Sequence, residues 1–273
     1  MFEAIILGII QGLTEFIPIS SSAHIRLAGE VFPNAIDPGA MFTAITQIGT
    51  ELAVLIYFRK DIVRIISSWV SSLTDKSARN QDSKMGWLII IGSLPIVIIG
   101  YLAQDFIETD LRSLWIIATM MVVFGLILGA ADKYASKTKE LSQLTVKHGV
   151  LYGLAQSLAL IPGVSRSGAT IAMGRFLGYS REAALRYSFL LALPAVFGSG
   201  FYQLKNALTD DQVAVYSLAE TFVATAIAFV VGYLVIAWLL KFVTTKSFAP
   251  FIIYRVILGS ALLVLLAFGV LQP

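Results

Sequence analysis

Six apolar stretches, at about 41–58, 86–104, 113–131, 184–204, 217–240 and 248–270, are each long enough to cross a bilayer. A helix rises about 1.5 Å per residue and a hydrocarbon core is about 30 Å thick, so roughly 20 apolar residues suffice. Backbone polar groups find no water in lipid, so such stretches span as helices. Composition agrees: only 14% of residues are charged, against roughly 25% in a soluble domain, and mean hydropathy is +0.81. The chain is predicted to be an all-α polytopic membrane protein, one membrane domain over 1–273. The absence of cysteine excludes disulfides, thiolate nucleophiles and thiolate metal sites. The net charge of +3 is read as loop topology in the bilayer, with no nucleic-acid partner. The N-terminal stretch is not read as a signal peptide. It carries Glu3, no Lys or Arg before Arg26, and Pro18 with three serines where a cleavage site would lie.

Two further apolar regions, about 2–32 and 147–178, are broken. In each, an apolar helix of about 14 residues meets a Pro/Ser/Gly turn and then a second short stretch, a length that suits a re-entrant hairpin better than a crossing. The two regions repeat one constellation. With a shift of 145 residues and no gap, Gly8, Gln11, Leu13, Ser20 and Ser22 fall on Gly153, Gln156, Leu158, Ser165 and Ser167. Paired broken segments in two halves are a sequence pointer to a central binding site.

The order is hairpin, three spans, hairpin, three spans. A hairpin returns to its own side and three spans reverse it, so the second half is predicted to be inverted, with repeat 1 about 1–132 and repeat 2 about 147–273. Lysine and arginine set the orientation. Of the 20 basic residues, 15 lie in the 59–84 and 132–147 loops, before the fourth span and between the last two: Arg59, Lys60, Arg64, Lys76, Arg79, Lys84, Lys133, Lys137, Lys139, Lys147, Arg175, Arg181, Arg186, Lys241 and Lys246. The opposite loops hold Arg112 and Lys205 among Asp105, Glu108, Asp110, Asp210 and Asp211. The basic face is expected to be cytoplasmic and both termini extracytoplasmic.

Gln11 and Glu15 are four apart and share a helix face. An acid within an apolar run is a functional candidate by default. Pro18 ends the first helix, and Ser20, Ser21 and Ser22 stand where one of them caps the next. His24 is three residues after Ser21, within reach of its hydroxyl on a helix, and a base beside a hydroxyl is the minimum for an activated nucleophile. His148 borders a basic loop and is expected in solvent. In the second copy, Pro162 to Thr170 reads as an anion cradle. Gly163 and Gly168 permit close backbone approach, a helix start offers amides, Ser165, Ser167 and Thr170 offer hydroxyls, and Arg166 offers a planar charged fork. Gln47 and Glu51, again four apart, and Arg255 in the last span rank lower, as structural pairs. Together these residues favour an anion with several oxygens on a lipophilic body, and phosphoryl transfer, where catalysis is mostly positioning and charge stabilisation. A transporter or flippase for a lipid phosphate or small anion is the rival, since inverted repeats with broken helices also mark carriers.

Three motifs, Gln11 to Glu15, Pro18 to His24 and Pro162 to Thr170, with a late Tyr254-Arg255, closely resemble the undecaprenyl-diphosphate phosphatase family, the BacA-type bacitracin-resistance proteins. The resemblance covers the whole chain. It implies an integral hydrolase of the bacterial inner membrane that removes the terminal phosphate of a C55 isoprenoid diphosphate, recycles the carrier for cell-wall synthesis and gives bacitracin tolerance. It implies a polyprenyl diphosphate substrate and a divalent cation, Mg2+ or Ca2+. A homodimer is compatible with it. The family's functional positions fall on Glu15, Ser21, His24, Ser165, Arg166 and Thr170, with Gln11 as an accessory at a site that varies between Glu and Gln. Gln there removes one possible metal carboxylate, leaving Glu15 as the expected ligand. Arg166, the Ser165–Thr170 backbone and the cation are expected to hold the diphosphate. Ser21, or His24 itself, attacks phosphorus while His24 moves the proton; attack by a metal-bound water is the alternative.

Overall fold

A computed structural model describes residues 1–32, 37–134, 138–209 and 215–272. Lys137, Asp210 and Asp211 of the charge count lie outside them. The described residues form twelve α-helices. Six are long and apolar enough to cross a membrane: α3 (Gly39–Tyr57), α5 (Gln81–Leu102), α7 (Leu114–Tyr134), α10 (Arg181–Thr209), α11 (Leu218–Thr245) and α12 (Ala249–Ala267). They coincide with the six expected runs. Large apolar side chains such as Leu94, Val97 and Ile98 stay exposed on them, as a lipid-facing surface requires.

The two broken regions each fold as a pair of short helices. The first pair is α1 (Phe2–Thr14) and α2 (Ser21–Val31); the second is α8 (Val146–Ser157) and α9 (Arg166–Phe176). At 13, 11, 12 and 11 residues, each is roughly 17–20 Å long, short of the hydrocarbon thickness. One segment departs from expectation. The basic 59–84 stretch is not only loop: Arg59–Thr74 forms α4. Its Trp69 lies over Gly86 of α5, where any side chain would collide with the indole, and meets Trp87 edge-on at 5.6 Å. α6 (Gln104–Thr109) is a short helix after α5.

The halves interlock. α1 packs against α11, while α8 packs against α5, and α7 packs along α12. Without a hydrophobic driving force between helices in lipid, close contact depends on small residues. A Cβ on Gly8 would stand 2.6 Å from the Ala224 carbonyl oxygen, and one on Gly153 would stand 2.2 Å from that of Gly92. The two repeat-related glycines therefore do the same job on different partners. At the basic end of the bundle, buried Asp132 accepts from Arg175 Nε (3.2 Å), Arg181 Nε and Nη2 (2.7 and 3.0 Å) and the Phe248 amide (3.3 Å), tying α7, α9, α10 and α12 together. At the other end, Arg112 grips Asp37 through two nitrogens at 2.8 and 2.6 Å.

Candidate active site

The two turns carry the same backbone device. Ser20 and Ser165 are the non-glycine residues with positive φ among the described residues, at 76° and 70°. Each caps the following helix, Ser20 Oγ accepting from the Ala23 amide at 3.4 Å and Ser165 Oγ from the Gly168 amide at 3.1 Å. Each lies 3.2 Å, Oγ to Oγ, from the serine two residues on, Ser22 and Ser167 respectively. A serine hydroxyl that bonds local backbone stabilises this otherwise uncommon left-handed conformation.

Arg255 of α12 holds the turns in place. It is fully buried and donates to the carbonyls of Pro18 (3.1 Å) in the first turn and of Gly163 (2.8 Å) and Val164 (2.9 Å) in the second. It also donates to Met121 (3.2 Å) and Met120 (3.4 Å) of α7. Its fork thus satisfies backbone acceptors that a non-helical segment leaves open at membrane depth. Gly168 makes room for it: a Cβ there would lie 2.8 Å from Arg255 Nη1.

Between the turns, Glu15 and Arg166 meet. Glu15, in the turn after α1, accepts from Arg166 Nη2 at 2.7 Å on Oε1, and from Gln11 Nε2 and Ser21 Oγ, each at 2.7 Å, on Oε2. Gln47 Nε2 stands 3.5 Å from the same Oε2. The Arg166 Nη2 that binds Glu15 also donates to Glu51 Oε1 at 2.6 Å. Glu15 and Glu51 are buried. Arg166 and Gln47 line a cavity of about 500 Å³, whose walls also include Ile96, Val97, Leu160 and Val196.

Several expectations change. His24 does not bond Ser21: Nδ1 lies 2.7 Å from the Ser20 carbonyl and Nε2 lies 2.7 Å from the Tyr254 hydroxyl. A carbonyl only accepts, so Nδ1 carries a proton and donates to Ser20, while Nε2 is bonded to the Tyr254 hydroxyl. Ser21 Oγ instead donates to Glu15 Oε2, because the turn folds that carboxylate back over the start of α2. The hydroxyls of the expected cradle are buried and already bonded within the protein. Thr170 Oγ1 donates to the Arg166 carbonyl (2.8 Å) and lies 2.5 Å from Ser188 Oγ, and Ser167 Oγ donates to the Glu15 carbonyl (3.3 Å). Arg166 is the group of that motif that reaches the cavity. His148 is bonded, not free in solvent: its Nδ1 lies 2.6 Å from the Tyr179 hydroxyl. Glu51, Gln47, Tyr254 and Arg255 join the site from other helices, although the first two repeat the Gln11–Glu15 spacing and so left a trace in the sequence.

A sequence model of bacitracin resistance protein BacA matches residues 4–261. The chain belongs to the BacA family. Close relatives cover it almost end to end. It is 60% identical over 273 residues to the undecaprenyl-diphosphatase of Pseudarthrobacter chlorophenolicus, with 99% of both chains covered. It is 60% identical to that of Micrococcus luteus, covering 99% of this chain and 98% of the other. It is 56% identical to undecaprenyl-diphosphatase 2 of Streptomyces coelicolor, covering 100% of this chain and 97% of the other. All three BacA-type motifs thus lie around one partly buried Glu15–Arg166 pair, inside a multi-pass membrane protein of a bacterial family.

Proposed function

We propose that this chain hydrolyses undecaprenyl diphosphate to undecaprenyl phosphate and inorganic phosphate, an enzyme of lipid-carrier recycling that gives bacitracin resistance. One observation carries the reading beyond family membership. An always-charged guanidinium, paired with an acid that also holds a serine hydroxyl, lines a cavity with many apolar walls. Arg166 Nη1 is buried and has no hydrogen-bond partner among the described residues, so a donor is available for a phosphoryl oxygen. Val97 lines the cavity and is half-exposed on a span, which supports lateral entry of a prenyl chain from lipid.

In the covalent version, Ser21 Oγ attacks the terminal phosphorus and its proton passes to Glu15 Oε2. The bond from phosphorus to the bridging oxygen breaks, and undecaprenyl phosphate leaves. Water then cleaves the serine phosphoester and releases phosphate. Arg166 stabilises the charge that builds on the phosphoryl oxygens. His24 and Tyr254, one turn further along, form a second proton-carrying pair. The Glu15 carboxylate, the Ser21 hydroxyl bonded to it and the unpartnered Gln11 Oε1 and Glu51 Oε2 are oxygen ligands of the kind that suit a hard cation such as Mg2+ or Ca2+. Among the described residues no three His, Cys, Asp or Glu side chains cluster to hold a metal. Glu15 would therefore supply part of the ligand set, the rest coming from phosphate and water, as Mg2+ tolerates. When bound, the cation would offset diphosphate charge and polarise its oxygens.

The two short-helix pairs are read as re-entrant hairpins of an inverted repeat, about 1–132 and 147–273. The shared serine geometry, the matching short lengths and the reciprocal packing on α11 and α5 support this. The cavity is bounded by the start of α3, the end of α5 and the latter part of α10, away from the basic loops. With the positive-inside rule, that supports a site opening on the extracytoplasmic side and both termini there. Purified protein in detergent is expected to release phosphate from a prenyl diphosphate. No release in any divalent cation would overturn the reading and favour a carrier.

A further inference from the structure

Position 11 is an amide, so the α1 face that carries Glu15 has one acid. The fold brings a second from elsewhere. Glu51, on α3, is fully buried in the middle of a predicted span. Its Oε1 and Glu15 Oε1 accept from one nitrogen of Arg166, at 2.6 and 2.7 Å. Two acids thus face one guanidinium. A diphosphate entering such a site brings more negative charge, and buried like charges repel strongly where water is excluded.

Two buried oxygens at this cluster have no hydrogen-bond partner among the described residues: Glu51 Oε2 and Gln11 Oε1. A buried acceptor without a donor is destabilising and calls for an occupant. The amide orientation of Gln11 is dictated by its neighbour. A carboxylate only accepts, so Gln11 must turn its Nε2 to Glu15 and leave Oε1 free.

We propose that Glu51 is an acidic ligand of the divalent cation, acting with Glu15 and the Gln11 carbonyl oxygen. The carboxylate that position 11 lacks is thus supplied from α3. This rests on the phosphatase reading above and assigns residues to its cation.

The test uses Mn2+ as the probe, bound to the purified full chain in detergent and followed by its electron paramagnetic resonance signal without substrate. Glu51→Gln keeps shape and removes the charge; its binding of Mn2+ is expected to weaken about tenfold or more. Adding Gln11→Glu to Glu51→Gln returns the charge from α1 and is expected to bring affinity back to within about threefold of wild type, where a threefold change is under 1 kcal/mol. Thermal unfolding of each variant reports folding separately. Folded Glu51→Gln that binds Mn2+ like wild type overturns the proposal, and so does a folded double variant no better than Glu51→Gln. Phosphate release by wild type reports the phosphatase reading independently, so either can fail alone.

Discussion

The two turns share a backbone and differ in chemistry. Ser20 and Ser165 adopt the same left-handed conformation, cap the same way and touch a second serine at the same 3.2 Å. Both turns also hand a carbonyl to Arg255. At the variable positions they part. Glu15 aligns with Leu160, Ser21 with Arg166 and His24 with Ala169. The first turn thus carries acid, hydroxyl and imidazole, and the second carries the guanidinium. What the two turns share is the part that is hard to build, a non-helical backbone whose carbonyls are satisfied by Arg255. Where they differ, the first turn carries an acid and the second a guanidinium, and the two pair at 2.7 Å.

The strongest way to break the comparison is to remove the charges that distinguish the copies. Arg166→Ala and Glu15→Gln are each expected to lower phosphate release by roughly a thousandfold, within the range for loss of a preorganised charge partner. Activity near wild type in either would remove that residue from the site. Ser21→Ala comes next, with a loss of about a hundredfold or more expected if the serine is the nucleophile. A slow substrate with an acid quench should then trap phosphate on wild type and none on the variant; label absent from wild type would favour direct attack by water.

The shared scaffold is probed by Arg255→Lys. An ammonium has three donors on one nitrogen and cannot span the carbonyls of both turns. Stability should fall by about 2–4 kcal/mol, seen as a lower Tm in detergent, with activity falling alongside it. An unchanged Tm would show that the turns hold themselves. The smallest effect belongs to Tyr254→Phe, which takes from His24 its Nε2 partner and leaves the ring hydrogen bond to Ser20. A loss of about three- to tenfold in kcat, at unchanged Tm, is expected for one hydrogen bond near 1 kcal/mol. A larger loss would make Tyr254 a proton donor in its own right.

Much of this was legible in one dimension. The spans follow from apolar length, because lipid forces helices on any stretch long enough to cross it. The break points follow from Pro18 and from Pro162-Gly163, which cannot continue a helix in place. Glu15 and Arg166 stood out because charge inside apolar sequence is expensive and needs a partner. The basic stretch after α3 was misread in part: α4 carries its charges in its first two turns and packs through Ile65 and Trp69 further along, so composition hid the helix. The pairing of His24 with Ser21 is not made, because helical spacing says which side chains can meet, while a carboxylate from the preceding turn takes the same hydroxyl.

The sequence alone determined that the chain has six stretches able to cross a membrane as helices, that two broken segments share one spaced constellation, and which acid, hydroxyl and arginine lie on them. Those properties are local: hydrophobic length, helix breakers and residue identity at fixed spacing. The tertiary structure decided that Glu15 and Arg166 form one pair 151 positions apart, that Glu51 joins them, and that Arg255 locks both turns while Tyr254 engages His24. Each of those depends on how α3, α9 and α12 are docked. Docking of helices in lipid is set by close contacts of small residues and by buried polar pairs, and neither is visible until the helices stand side by side.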